Sequence, residues 1–510
     1  MAKQYALDDA SVVVVVGSGA GGGTLANELA QKGIDVVCLE AGKRLTLADV
    51  VNDPALMMEK LGWNDPRKGT PVYTCKTVGG TTMRWSGITP RFQAHEFKAL
   101  STYGQMDGAS LIDWPITLEE LEPYYSRAEY KMGVSGTHGM PPSAETNNYK
   151  LLRVGAKNMG YKEFTSARTA INPVARDGRP ACRQIGFCHS GCAIGAKWST
   201  LYTEVPKAES TGHFELRTEA MVVKINHTDD GRVSSVMYYD SEGALHEQKA
   251  RAVCVAGNVV ETTRLLHNSS SNLFPDGLAN SSGHLGRNYT RHLMFSTFAI
   301  MPGEVNFHRG TRQSGLLFDE QYHKPERGFA GGYLIETVAT DPVSVAAFVG
   351  GWGESAAEYM ENYTRLGATW VTGEDPPQSS NRIAFDDKER DQYGLPVPVL
   401  TYDFHANSLA MFEHGKKQCE SLLESVGGRR AVSTLGVGGG CHNMGVARMS
   451  VKPDDGVTNK WGQAHDIKNL FVSDGSLFST SAAGNPTLTI VALAIRQAEH
   501  VADRMARHEL

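Results

Sequence analysis

The sequence predicts an α/β protein in which a doubly wound parallel sheet is interleaved with an antiparallel sheet. Three observations carry this. Residues 12 to 16 are five consecutive valines, a β-branched run suited to a strand buried on both faces of a parallel sheet with helices above and below. A Gly-rich turn and a helical stretch follow it directly, as in a βαβ unit. Between residues 290 and 405 the pattern changes to alternating segments with turn signals such as Asp391-Gln392-Tyr393-Gly394-Leu395-Pro396, which reads as antiparallel pairing, and the last hundred residues return to the first pattern.

Composition bounds the function classes. The chain of 510 residues has room for one large two-part enzyme or up to three modules. Its 50 Lys and Arg against 56 Asp and Glu leave a formal charge of −6, so no basic field exists to hold nucleic acid. No apolar run approaches the roughly 18 residues a membrane span needs, and the N-terminus carries no export pattern, so a cytoplasmic location is expected. Eight cysteines in so long a chain are no disulfide framework. The 54 glycines exceed the usual share of about 7%, which points to close backbone approaches.

The elements follow in order. The valine strand runs into Gly17-Ser18-Gly19-Ala20-Gly21-Gly22-Gly23, a helix is read from Thr24 to Lys32 closed by Gly33, and a second strand runs from Asp35 to Leu39, ending at Glu40. A GxGxxG string that follows a strand, opens a helix and is answered by an acid at the next strand end is a Rossmann-like dinucleotide fingerprint. Gly17 permits the tight turn, Gly19 lets the backbone approach a pyrophosphate, and Gly22 lets helix and strand pack closely. The helix start supplies the field for the anion. Glu40 would accept hydrogen bonds from ribose hydroxyls, which disfavours a 2′-phosphorylated cofactor.

From 43 to 115 the chain reads as irregular. Helices are expected over 117–131, starting at Thr117 with Glu119 and Glu120 in the first turn, and over 148–159. A meander of strands covers 214–256 and ends in a buried strand before Gly257. A helix over 407–425, a strand over 469–473 and a long helix with Pro486 at its first position complete the chain.

In this order the chain resembles the glucose–methanol–choline (GMC) family of FAD-dependent oxidoreductases, from about residue 11 to residue 505. Five segments carry the likeness: the N-terminal βαβ unit, residues 77–85 (TVGGTTMRW), Val253 to Leu266, His442-Asn443-Met444-Gly445, and residues 469–494 (NLFVSDGSLFSTSAAGNPTLTIVALA). The resemblance implies a doubly wound FAD-binding domain built from residues 1–100, 211–289 and 431–510, a mixed connection and substrate-side segment over 101–210, and an antiparallel substrate domain over 290–430. It implies FAD held by Gly17, Ser18, Gly19, Ala20, Gly22 and Glu40, with Gly79, Gly80 and Thr82 beside the isoalloxazine. Val222 falls at the adenine, Asp474 at the ribityl and pyrophosphate region, and Pro486 and Thr487 at the pyrimidine ring, with Ala256 also among the FAD-binding residues. Some relatives attach FAD through a histidine immediately before a Trp in the Gly-Gly segment. That place is Arg84 here, so noncovalent FAD is expected.

The same resemblance puts His442 and Asn485 at the catalytic pair. A flavin oxidising an alcohol needs a base for the hydroxyl proton, and a neutral imidazole serves near working pH. Within the family the chain looks nearest to pyranose oxidases, glycoside 3-oxidases and bacterial sugar dehydrogenase flavoproteins. A sugar or glycoside substrate and oxygen or a diffusible electron acceptor are then expected, with a non-sugar aliphatic or aromatic alcohol as the alternative. Residues 290–380, including Phe307, His308, Tyr333 and Trp352, are expected to choose the substrate.

Cys182, Cys188 and Cys192 form a C-x5-C-x3-C string. In membrane-linked sugar dehydrogenases of the family similar spacing holds a [3Fe–4S] cluster, and such an enzyme would add a small partner subunit. Members without clusters carry Cys/Gly-rich strings here that brace a loop. With no adjacent fourth Cys and no heme-attachment motif, the cluster is not favoured and no metal is assigned.

Overall fold

Five short strands, four of them apolar, pair in parallel in the order Leu470–Val472, Ala252–Val255, Val13–Val16, Val36–Leu39, Phe214–Arg217. The computed structural model describes residues 3–62, 67–436 and 441–510. The central valine strand is buried along its length, as its unbroken β-branched sequence requires. Its register aligns Val16 with Leu39 on one side and Val255 on the other, and Val472 with Val255. The chain therefore leaves four strands at one level, through Gly17, Glu40, Ala256 and Ser473, and this edge is where an open α/β sheet binds ligands.

The first helix is Ala20–Ala30 and starts four residues earlier than Thr24. Three glycines lie inside it, at about 1 kcal/mol each relative to alanine. Packing overrides that propensity: an ideal Cβ at Gly21 would overlap Ser473 O, one at Gly22 would overlap Gly17 O, and one at Gly23 would come 2.7 Å from Ser18 O. The helix packs against the long C-terminal helix Thr487–Ala506, in which Pro486 is the N-cap and Thr487 the first residue, one position later than expected. Leu118–Met132 packs on the same C-terminal helix; its start at Thr117 is as expected, and a capping box forms there.

The second sheet is antiparallel, in the order Arg429–Leu435, Leu293–Ile300, Leu366–Gly373, Tyr333–Thr337, Gly315–Leu317, Phe164–Ser166. Alternation divides its two faces. Phe295 and Tyr333 meet Gly415 of helix Ala406–Glu424, whereas Met294, Trp370 and Thr434 line a cavity on the other side. The meander Met221–His227, Val233–Tyr239, Leu245–Lys249 and a small sheet of Lys68–Gly69, Arg382–Arg390 and Pro396–Thr401 complete the strands.

Two regions depart from expectation. The irregular stretch 43–115 contains the helix Pro54–Lys60, and the antiparallel region contains Pro342–Val349 and Glu354–Glu361. The helices starting at Pro54 and Pro342 open with Asp-Pro, the aspartate accepting from the backbone two residues after the proline, a start signal the sequence carries openly. Among the described residues no helix is long and apolar enough to cross a membrane.

Candidate active site

The strand ends, the starts of the first and last helices and the inner face of the antiparallel sheet enclose a cavity of about 1060 Å³. At its nucleotide end Ser18 donates from N and Oγ to Glu40 Oε2 at 3.0 and 2.6 Å, and Gly42 N donates to Oε1 at 2.9 Å. Gly79 N donates in turn to Ser18 Oγ at 3.1 Å. Burial pushes the Glu40 carboxyl up, and these donors oppose it. Gly19 caps the first helix without any side-chain hydrogen bond, so the first-turn N–H groups have no protein side chain to serve them. An ideal Cβ on Gly19 would meet nothing nearer than Gly80 Cα at 3.9 Å, which leaves the front of this turn open.

On the far strand Asp474 accepts from Ser476 N at 2.8 Å through Oδ1 and from Thr262 Oγ1 at 2.7 Å through Oδ2. Burial pushes its carboxyl up. Ala20, Thr82, Val222 and Ala256 line the same cavity with Gly17, Ser18, Gly19, Glu40, Gly80 and Asp474. Gly22 and Gly79 do not. They stand behind the wall, where a Cβ on Gly79 would come 2.7 Å from Ser199 Oγ. The glycine requirement at Gly79 and Gly80 thus comes from protein atoms and from left-handed backbones, with φ of +94° and +52°.

At the other end His442, Asn485, Pro486 and Thr487 line the cavity together with Arg84 and Trp85. His442 takes a left-handed backbone, φ +63°, a costly conformation for a residue with a side chain. Its Nδ1 lies 2.9 Å from Nδ1 of His292. Burial, with His292 as neighbour, holds its pKa well below the usual histidine value, so the ring is neutral. Asn485 is 2% exposed and its Oδ1 has no partner. Behind it, Glu336 takes hydrogen bonds from Thr372 Oγ1 and Gln313 Nε2, and burial pushes it up to about 7 against hydrogen bonds that include one from Asn485. The C-terminal helix starts here with no side-chain cap, a second helix N-terminus at the cavity.

Phe187 and His189 of the cysteine-rich loop reach the cavity, with His189 Nε2 2.7 Å from Ser86 Oγ, but Cys182, Cys188 and Cys192 do not. No disulfide joins the cysteines among the described residues. Among the described residues the three sulfurs do not gather around a single ion position; the metal-like cluster is His95, Glu96 and Glu374, elsewhere. Lys197 braces the loop instead. Fully buried, its Nζ donates to Trp85 O and Cys188 O, both at 2.6 Å, and to Met83 O at 3.2 Å, while burial pushes it down to about 8.

Of the residues expected to choose a substrate, none of Phe307, His308, Tyr333 and Trp352 lines the cavity. Phe307 and Tyr333 are buried in the second sheet's core, His308 stacks on Tyr363, and Trp352 is exposed. Arg312, Gln313, Asp341, Ser344, Phe348 and Trp370 take their place. Sequence reasoning also missed Gly21, His292, Lys197 and Glu336. The crowded glycine run could have revealed Gly21; the other three work through partners distant in sequence.

The cavity fits a dinucleotide. Two uncapped helix starts face it, the turn at Gly19 is open, a buried amide oxygen at Asn485 lacks a partner, and the volume exceeds the roughly 300–1,000 Å³ of ordinary ligand pockets. Two models described as GMC oxidoreductase match residues 67–294 and 377–494. The chain is 32% identical to a 2-methyl-1,2-propanediol dehydrogenase of Mycolicibacterium austroafricanum, over 98% of this chain and 96% of that protein. It is 27% identical to the fructose dehydrogenase large subunit of Gluconobacter japonicus, over 96% and 97% of the two chains. A formate oxidase crystal structure superposes with a TM-score of 0.72 at 14% identity, covering 98% of this chain and 99% of that one. The matching family models, the near full-length relative and the cavity at the parallel strand ends agree, and the chain belongs to the GMC oxidoreductases, FAD-dependent enzymes that oxidise alcohols.

Proposed function

We propose that the chain oxidises a hydroxyl of a sugar or glycoside to a carbonyl, with His442 as the base and Asn485 as its hydrogen-bonding partner. The observation that carries this reading is a neutral, cavity-lining His442 on the same wall as Asn485 and the uncapped start of the C-terminal helix. A neutral imidazole can take the hydroxyl proton, and the Asn485 amide can orient the same oxygen without adding charge. The chemistry supplied by bound FAD is acceptance of the carbinol hydrogen as hydride.

The residues to hold FAD are the first-helix start with Gly17, Ser18, Gly19 and Ala20 for the pyrophosphate, Glu40 for the adenosine ribose, and Val222 and Ala256 beside the adenine. Asp474 serves the ribityl region, Gly80 and Thr82 the ring edge, and Pro486 and Thr487 the pyrimidine ring. Gly22 and Gly79 shape the wall from behind.

A sugar is supported by the cavity's antiparallel-sheet side, where Trp370 and Phe348, with ring centroids 5.7 Å apart, line it together with the polar groups of Arg312, Gln313, Asp341 and Ser344. Apolar faces with a few convergent polar groups are what a polyhydroxylated ligand needs. A small non-sugar diol is the second reading, favoured by the 32% identical relative. Either oxygen or a diffusible acceptor regenerates the enzyme.

A panel of sugars, glycosides and 1,2-diols, each assayed with oxygen and with a quinone or dye, tests this. The highest kcat/KM is expected on a sugar or glycoside; a clear preference for small diols selects the second reading. His442→Ala should keep its flavin absorbance and lose roughly a hundredfold or more in turnover. Near wild-type turnover would place the base elsewhere.

A further inference from the structure

We propose that His292 is a positioning residue that fixes the tautomer of His442, so that Nε2 of His442 is the bare nitrogen presented to the substrate. The inference rests on the reading of His442 as the base and goes beyond it by naming the nitrogen and the group that selects it. His292 immediately precedes strand Leu293–Ile300 and is 1% exposed. Its Nε2 lies 3.1 Å from Ser481 O. A carbonyl oxygen has no hydrogen to give, so Nε2 of His292 must carry the proton. Burial pushes this histidine down to about 4, so the ring is neutral and holds only that proton. Nδ1 of His292 is therefore a lone pair.

That lone pair lies 2.9 Å from Nδ1 of His442, and the rings meet edge to face, with centroids 5.0 Å apart and planes at 87°. Two nitrogens at this distance share one hydrogen, and only His442 can supply it. His442 is itself neutral, with burial holding its pKa down, so its one proton is on Nδ1 and Nε2 is bare. The proton positions thus run in one direction from the Ser481 carbonyl through both rings. The carbonyl is itself anchored, since Ser481 Oγ accepts from Asp375 N at 2.9 Å and donates to Asp375 O at 3.2 Å.

In the oxidation the substrate O–H bond breaks and a bond from that proton to His442 Nε2 forms; bound FAD would take the carbinol C–H pair as hydride. The product is the carbonyl compound, and His442 becomes an imidazolium that still donates Nδ1–H to His292, in a hydrogen bond strengthened by the charge. Titratable and charged groups near the pair include His189, Cys441 with Arg84, Arg291 and Arg312 beside it, and Glu336 behind Asn485. The two rings hydrogen-bond to one another and to the 481–482 backbone.

Nitrogen-15 NMR of the histidine-labelled holoenzyme tests the tautomer directly, with the His442 signals identified by their loss in His442→Gln. A protonated Nδ1 and an unprotonated Nε2 are expected; a proton on Nε2 overturns the proposal. Kinetics give a second reading. Asparagine places an oxygen where His292 Nδ1 stands, whereas leucine offers no acceptor. His292→Leu should lower kcat by roughly tenfold or more, within the range a positioned base contributes, with KM within about twofold and FAD content unchanged. His292→Asn should recover most of that loss. Equal losses in both variants, or losses that follow FAD content, would make His292 merely structural and overturn the inference. If His292→Leu does not fold, the wild-type spectrum decides. If His442→Ala keeps its turnover, the base assignment fails while the spectrum still reports on the tautomer, so the two failures are distinguishable.

Discussion

Burial sets the protonation of the groups at the reacting end of the cavity. His442 and His292 are neutral because burial makes charging them costly, and among the described residues no carboxylate pairs with either ring. Arg84 also lines this end, at the place where some relatives carry the histidine that attaches FAD. A guanidinium remains a cation with no free lone pair, and although burial lowers its pKa, it cannot make the histidyl bond. Acid precipitation should therefore release intact FAD, leaving a yellow supernatant over a colourless pellet. A pellet that keeps the flavin spectrum through washing in denaturant would show a covalent link. His442, Asn485 and Arg84 are legible in the sequence because each lies in a short motif of fixed order. Glu336 is not, because its role depends on Asn485 and Gln313 meeting it from other segments.

Among the elements, the first helix separates two duties of glycine. At Gly21 a Cβ would overlap Ser473 O, whereas at Gly19 it would enter open space in front of the helix. Gly21→Ala should therefore destabilise the fold itself, by about 1–3 kcal/mol as overpacking does, with a lower thermal midpoint and a lower flavin-to-protein ratio. Gly19→Ala should fold with an almost unchanged midpoint in the flavin-free state yet bind FAD more weakly, since the methyl group occupies the approach to the helix start. Equal midpoints for the two flavin-free variants would refute the distinction. The cysteine-rich loop raises a different question, because Lys197 already ties its backbone to the 83–85 segment through three carbonyls. A loop braced in this way does not need a cluster to hold its shape. Protein prepared without air is expected to contain no stoichiometric iron or sulfide; finding both, and losing both in Cys188→Ser, would assign the cluster.

For the molecule as a whole, buried ionisable groups predict how stability depends on pH. Glu96 and Glu374 lie together with His95, their ligand atoms within 4.8 Å of one another; burial raises both carboxyl pKa values, and Glu96 adds to the rise at Glu374. Glu336 is pushed up to about 7. A carboxyl kept protonated by the fold contributes stability that is fully present below its unfolded pKa of about 4.5 and lost as the pH rises through the folded value. The buried histidines act in the opposite sense, costing stability below about pH 6.5, where the unfolded chain would protonate them. Above about pH 7 the histidine contribution fades, and the carboxyl loss outweighs the opposite effect of Lys197, which is pushed down to about 8. The thermal midpoint of the holoenzyme should accordingly fall between about pH 7 and 8, and Glu374→Gln should flatten the decline. A midpoint that rises over this window would show that these carboxyls are already ionised.

Patterns that complete themselves within a few dozen residues are sufficient in the sequence alone. The valine strand, the GxGxxG turn with Glu40, the helix start at Thr117 and the segment ending in Asn485-Pro486 define the parallel sheet, the dinucleotide site and the catalytic candidates. Each depends on backbone conformation and on neighbours close along the chain. The start of the first helix, the antiparallel-sheet side of the cavity and the approach of His292 to His442 are decided in space. Glycines 21 to 23 become helical only because another strand end and other backbones press against them. Arg312, Phe348 and Trp370 come to the cavity from separate parts of the antiparallel region, where the identity of a lining residue depends on sheet face and register. His292 meets His442 across 150 residues of chain. No local periodicity encodes such a meeting, because it arises from the pairing of strands and the packing of helices that bring distant backbone segments to one wall.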